Sequence, residues 1–184
     1  KRAVFFDEAL TPTPYYAEFS FEIRESKASA TSLKYARIGN IVTFGNYNGA
    51  LEWLVIGEKD DRLLLITKDC IEALPYNNER KKVTWESCDL REWLNGDFIE
   101  KAFSEEERKI IVSTELENPD NKRPDGAIGG KNTTDRAFLL SHDEVIKYLP
   151  NGFNIYTEPS PSAEKEIAEY EIDGREIWWW WTRS

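Results

Sequence analysis

Two β-rich runs, Leu51 to Gly57 and Leu63 to Thr67, flank Lys59-Asp60-Asp61, and no other feature constrains the fold as much. Short runs of Leu, Val and Ile around a polar turn read as an antiparallel hairpin. A strand fits IGNIVTFGNY just before it, starting at Ile38. Beyond the hairpin the apolar period lengthens: Leu90, Trp93, Leu94 and Phe98 recur at helical spacing. Locally paired strands followed by short helices imply an α+β chain rather than a bundle or a parallel sheet.

The punctuation supports this reading. Thr84 or Ser87 can cap the first helix and Gly96 reads as its end. Ser104 with Glu107 three residues on spells a capping box for the next helix, and Ser141 with Glu144 spells another. Between them IIVSTELE reads as a strand, and DRAFLL as a short apolar strand ending at Leu140. Residues 118–134 form a polar loop rich in Asn, Asp, Gly and Pro, longer than compact domains usually hold without a purpose. At the start, Phe19, Phe21 and Ile23 alternate with polar residues as in a strand, and a Ser/Ala-rich linker follows. The expected division is therefore an extension and linker over 1–34 and a domain over 35–184.

Charge and cysteine content exclude several classes. A formal charge of -10 across 184 residues repels phosphate, so neither nucleic acid nor an anionic lipid surface is an expected partner. No apolar run reaches eighteen residues, so no membrane insertion is expected. Cys70 and Cys88 fit no metal-ligand spacing, and one bridge or none can join them. A chain opening on Lys1 with no Met is expected to be a piece of a longer product.

Taken in order, IGNIVTFGNY, LEWLVI, RLLLITKDCI, TWESCDLREWLNGDF, FSEEERKII, TTDRAFLLSHDEV and WWTRS resemble the bacterial domain-of-unknown-function family 6273 from about Ile38 onward. TWESCDLREWLNGDF is the most specific block. The resemblance implies a C-type-lectin-like fold, shared with formylglycine-generating enzymes and phage receptor-binding domains, with small antiparallel sheets and two to four short flanking helices. It also implies a closing strand after WWTRS that a chain ending at Ser184 would lack.

The candidate site residues follow. Four consecutive tryptophans, Trp178 to Trp181, must alternate across a strand, so Trp179 and Trp181 share a face and can stack on a flat ligand, with Tyr76, Tyr156 and Tyr170 available from loops. In DLREWLN, Asp89 and Trp93 share one helical face and Arg91 and Asn95 another. Arg91, Asn95 and Arg183 complete the candidate ligand set, although Arg91 and Asp89 serve equally as ion pairs or caps. Asp120, Asp125 and Asp135, in and beside the long loop, offer oxygen ligands to calcium; otherwise no cofactor is expected. His142 is expected on the surface in the first turn of its helix, and Cys88 as a structural thiol.

The expected function is a non-catalytic binding module for a saccharide or a protein surface, extracellular or in the cell envelope, with a cytoplasmic address left open. The alternatives are a metal-dependent enzyme of formylglycine-generating type, which needs Cys70 and Cys88 to share a metal, and a structural or assembly domain.

Overall fold

The computed structural model describes residues 15–16, 20–24, 31–122, 126–149, 163, 170–172, 175–177 and 181–183. Its centre is a five-stranded antiparallel sheet in the order β3-β4-β5-β2-β7, formed by β2 (Ser20–Arg24), β3 (Ile41–Asn46), β4 (Ala50–Lys59), β5 (Arg62–Thr67) and β7 (Ile111–Val112). β4 and β5 are the hairpin read from the sequence. They turn at Asp60, whose φ of 55° is left-handed backbone that Asp tolerates better than most residues. β5 is buried from Leu63 through Thr67, as expected of a strand with neighbours on both sides and covered faces. β3 alternates, with Val42 and Phe44 inward and Ile41 and Thr43 outward. β2, from the N-terminal extension, pairs with β5 along its whole length and with β7 on its other edge.

Three further two-stranded antiparallel pairs form: β1 (Tyr15–Tyr16) with β6 (Ala73–Leu74), β8 (Thr114–Leu116) with β9 (Thr133–Asp135), and β10 (Tyr170–Ile172) with β11 (Arg175–Ile177). The helices are short: α1 (Thr31–Lys34), α2 (Asp89–Trp93), α3 (Ile99–Ala102), α4 (Glu105–Arg108) and α5 (His142–Tyr148). The chain is thus a mixed α+β fold of small antiparallel sheets with few helices. Among the described residues no helix is long and apolar enough to cross a membrane.

One core unites these elements. Trp53, Trp85, Leu63, Leu65, Leu94, Phe98 and Ile99 are completely or almost completely enclosed, and each such side chain contributes about 1.5–3 kcal/mol of burial. Trp53 donates its indole N–H to the Phe44 carbonyl at 2.6 Å, so the buried ring carries no unmet donor. Gly45, at φ +78°, lets β3 run against Phe103 and the Ala102 carbonyl, where a Cβ would overlap both.

Both capping boxes form. Ser104 and Glu107 cap α4, and Ser141 and Glu144 cap α5. Other expectations are corrected. Gly96 does not end a helix: α2 continues through a π turn (Leu94–Phe98) into α3, because Phe98, Ile99 and Ala102 prolong the apolar stripe and their burial outweighs the Asn-Gly stop signal. Neither Thr84 nor Ser87 caps that helix; Cys88 occupies the cap position without a side-chain bond, after a 3-10 turn (Trp85–Ser87). The strand expected to end at Leu140 is instead β9, which ends at Asp135, five residues earlier. Residues 137–140 are buried without regular structure, touching the sheet by one bridge between Ser20 and Phe138. His142 opens α5 but is largely covered, its side chain 17% exposed, rather than out on the surface. Residues 150–162 lie outside the described residues, as do Asp125, Tyr156 and Trp178 to Trp180.

Candidate functional site

Residues far apart in sequence converge on a largely buried polar chain. At one end Asp135, fully buried, accepts from the Trp85 indole N–H (2.9 Å), the Thr133 hydroxyl (2.8 Å) and Arg91 Nε (2.8 Å), with Arg91 Nη2 also 2.7 Å from the carboxylate. At the other end Arg183, only 3% exposed, donates Nε to Asn118 Oδ1, Nη1 to the Leu139 carbonyl, Nη2 to the Glu117 carbonyl, and both terminal nitrogens to Glu144. All five guanidinium N–H groups are therefore used. Asn118 Nδ2 donates to Thr133 Oγ1, so one hydrogen-bonded path runs from Glu144 through Arg183, Asn118, Thr133 and Asp135 to Arg91.

Asn95 belongs to the same scaffold. Its amide donates to the Arg91 and Ala137 carbonyls, and its oxygen accepts from the Arg136 and Ala137 N–H groups. This pins the π turn to the segment after β9. Arg91, Asn95, Asp135 and Arg183, all read from the sequence as candidates, thus lie in one network in which each has protein partners.

The other candidates lie elsewhere. Trp181 donates its indole N–H to the Leu74 carbonyl (3.3 Å) and packs on Tyr76 with ring centres 5.2 Å apart. Asp120 accepts from the Gly129 N–H at 2.9 Å, closing the long loop on itself; a Cβ at Gly129 would fall on the Asn118 carbonyl. Asp120 and Asp135 are separately engaged, Asp135 by a guanidinium. Trp179 and Asp125 lie outside the described residues.

Cys70 and Cys88 are both buried and are not joined by a disulfide. Burial pushes the Cys88 thiol above its ordinary range, and its Sγ donates to the Trp85 carbonyl at 3.5 Å. A thiol held protonated in this way is a poor nucleophile and metal ligand. Among the described residues no three His, Cys, Asp or Glu side chains are grouped so as to hold a metal ion.

A cleft opens on the opposite face of the 89–102 helix. It has a volume of about 360 Å³, is shallow and open to solvent, and is lined by Asn78, Asp89, Glu92, Trp93, Gly96 and Asp97. Trp93 is half-buried: Tyr47 meets it edge-on at 6.1 Å, and Phe98 packs against it at 5.3 Å. Tyr47 is itself fixed by donating its hydroxyl to Glu72 at 2.9 Å; burial first, and Glu72 second, push its pKa up to about 12. The Trp93 ring is therefore held in place by its neighbours. Asp89 accepts from the Asn78 N–H (2.7 Å), which brings the preceding loop to the rim. Gly96 and Asp97 sit in the π turn, a distortion that often marks functional sites, and a Cβ on Gly96 would meet nothing within 4 Å.

The sequence model of one protein family, described as "Domain of unknown function (DUF6273)", matches residues 60–184, about two thirds of the chain. The chain belongs to the DUF6273 family. The DUF6273 match begins at the hairpin turn, so β2, β3 and β4 of the central sheet precede the matched segment. No curated protein and no solved structure matches the chain.

Asn78, Glu92, Gly96 and Asp97 were not among the sequence candidates for this DUF6273 chain. Their signal was present: 89, 92, 93, 96 and 97 follow the i, i+3, i+4, i+7, i+8 spacing of one helical face, which here is polar around a single Trp. Arg91 and Asn95 occupy the other face and hold the scaffold.

Proposed function

We propose that this DUF6273 chain is a non-catalytic binding module that seats a saccharide in the cleft around Trp93. The observation that carries the reading is the pre-set, half-buried indole bordered by Asp89, Glu92, Asp97 and Asn78. A sugar ring presents one apolar C–H face and a rim of hydroxyls. An indole meets the first, and planar carboxylates and amides meet the second with good hydrogen-bond geometry. The fold is proposed as a C-type-lectin-like variant, supported by its small antiparallel sheets, short helices and long loop, and its setting as the cell surface or secreted.

Calorimetric titration of the purified chain against a panel of neutral and charged oligosaccharides tests the reading. Trp93→Ala is expected to weaken the bound member of the panel at least tenfold, which is about 1.4 kcal/mol. Because Trp93 also packs on the core, a second variant separates binding from folding. Gly96→Ala adds a methyl into open cleft space at a helical position, so it is expected to stabilise the fold by about 0.5–1 kcal/mol while weakening binding several-fold. Unchanged affinity in both variants would remove the ligand from this cleft.

A further inference from the structure

We infer that Asn48-Gly49 is a self-modification site, at which the chain converts its own asparagine to aspartate and isoaspartate, while Asn95-Gly96 is held inert by the fold. The chemistry needs only water. The Gly backbone nitrogen, having lost its proton to solvent hydroxide, attacks the Asn Cγ; the new N–C bond closes a five-membered succinimide as the Cγ–Nδ2 bond breaks and ammonia leaves. Water then adds to one of the two imide carbonyls, and ring opening gives aspartate or, where the main chain now runs through the side chain, isoaspartate. The net change is one water consumed and one ammonia released. Glycine has no side chain to obstruct its nitrogen, but the Asn side chain and backbone must still turn freely into line.

The two pairs share a dipeptide and differ in their surroundings. Asn48 and Gly49 lie in the exposed turn between β3 and β4, with φ of 56° and 147°. The Tyr47 N–H closes this turn on the Gly49 carbonyl at 2.8 Å, and among the described residues nothing holds the Asn48 side chain. A Cβ on Gly49 would meet nothing within 4 Å, so the reacting face is open. Asn95 instead sits in the π turn, its Nδ2 donating to the Arg91 and Ala137 carbonyls and its Oδ1 accepting from the Arg136 and Ala137 N–H groups. It can react only from a locally opened state in which those bonds are broken and the helix around Gly96 is unwound. Conversion at Asn48 places a carboxylate, and in the isoaspartate form one extra backbone methylene, beside Tyr47, whose ring braces Trp93. A third pair, Asn151-Gly152, lies outside the described residues.

The test incubates the whole chain in mildly alkaline buffer, with and without guanidinium chloride, and follows conversion by peptide mapping. Fragmentation spectra place the gain of one mass unit, and enzymatic methylation counts the isoaspartate. In the native chain Asn48 is expected to convert at least about tenfold faster than Asn95. Guanidinium should bring the two rates within about twofold of each other, because the unfolded chain gives both pairs similar local freedom. Asn48→Ser, a change in an exposed turn, should abolish the gain in the peptide spanning β3 and β4. Native conversion at Asn95 as fast as at Asn48, or an Asn48 that converts in guanidinium but not in the native chain, overturns the inference. A rate ratio that guanidinium leaves unchanged traces the difference to sequence rather than to the fold and overturns it too, as does a gain that persists in Asn48→Ser.

Discussion

Replacing Arg183 by Ala is expected to destabilise the fold by about 3–5 kcal/mol and to lower the melting midpoint by about 10 °C or more. The guanidinium is enclosed and all five of its donors are committed: to Glu144 twice, to Asn118, and to the Leu139 and Glu117 carbonyls. Its removal strands two backbone carbonyls and leaves the Glu144 carboxylate, only 27% exposed, without its counter-charge. Each orphaned acceptor costs about 1–3 kcal/mol, while the lost packing on Phe138 adds less. Against a total stability of about 5–15 kcal/mol this is a large fraction. Arg183→Lys keeps the charge but brings three donors on a single nitrogen in place of a five-donor fork, so it should recover only part of the loss. Thermal melts of the two variants check this; a shift below about 2 °C for Arg183→Ala would mean that the C-terminal segment does not dock as described.

Asp135 holds the other end of the path. Asp135→Ala is expected to cost about 2–4 kcal/mol, since the buried Trp85 indole N–H loses its acceptor and the partly exposed Arg91 guanidinium, left with the Glu86 carbonyl, loses its counter-charge. Asp135→Asn preserves volume but replaces a carboxylate oxygen with an amide that must direct donors at Arg91, Trp85 or Thr133, so it should be almost as damaging. Because Thr133 and Asn118 link Asp135 to Arg183, the double variant should depart from additivity by about 0.5–3 kcal/mol, whereas unconnected sites add within a few tenths. Urea unfolding of the two single variants and the double variant measures the coupling directly. A strictly additive cycle would show two independent ion pairs rather than one network.

The parts of this fold that were legible in sequence are local ones. The β4–β5 hairpin follows from two apolar runs and an acidic turn, and both capping boxes follow from a Ser and a Glu three residues apart. The polar network was not legible in this way. Arg183 meets Asn118 across 65 residues and Glu144 across 39, and no periodicity records such partnerships. Arg91, Asn95, Asp135 and Arg183 stood out because buried polar residues with fixed partners are as distinctive in type as ligand-binding ones. The π turn was hidden for a different reason. Asn95-Gly96 carries the chemistry of a helix end, yet Asn95 spends its amide on residues 136–137, and the apolar stripe through Phe98 and Ile99 carries the helix on. The cleft required both facts. Only a continuous helix aligns Asp89, Trp93 and Asp97, and only the Asn78–Asp89 bond brings the preceding loop to their rim.

The most direct test of the binding account is a titration of the ¹⁵N-labelled chain with the tightest-binding member of the oligosaccharide panel, followed by amide and indole chemical shifts. The account predicts saturable shifts at the Trp93 indole and at the amides of Asn78, Asp89, Glu92, Gly96 and Asp97, with the Trp181 indole and the 118–134 loop unmoved. Shifts centred on Trp181 or on that loop, with the Trp93 indole silent, would contradict it.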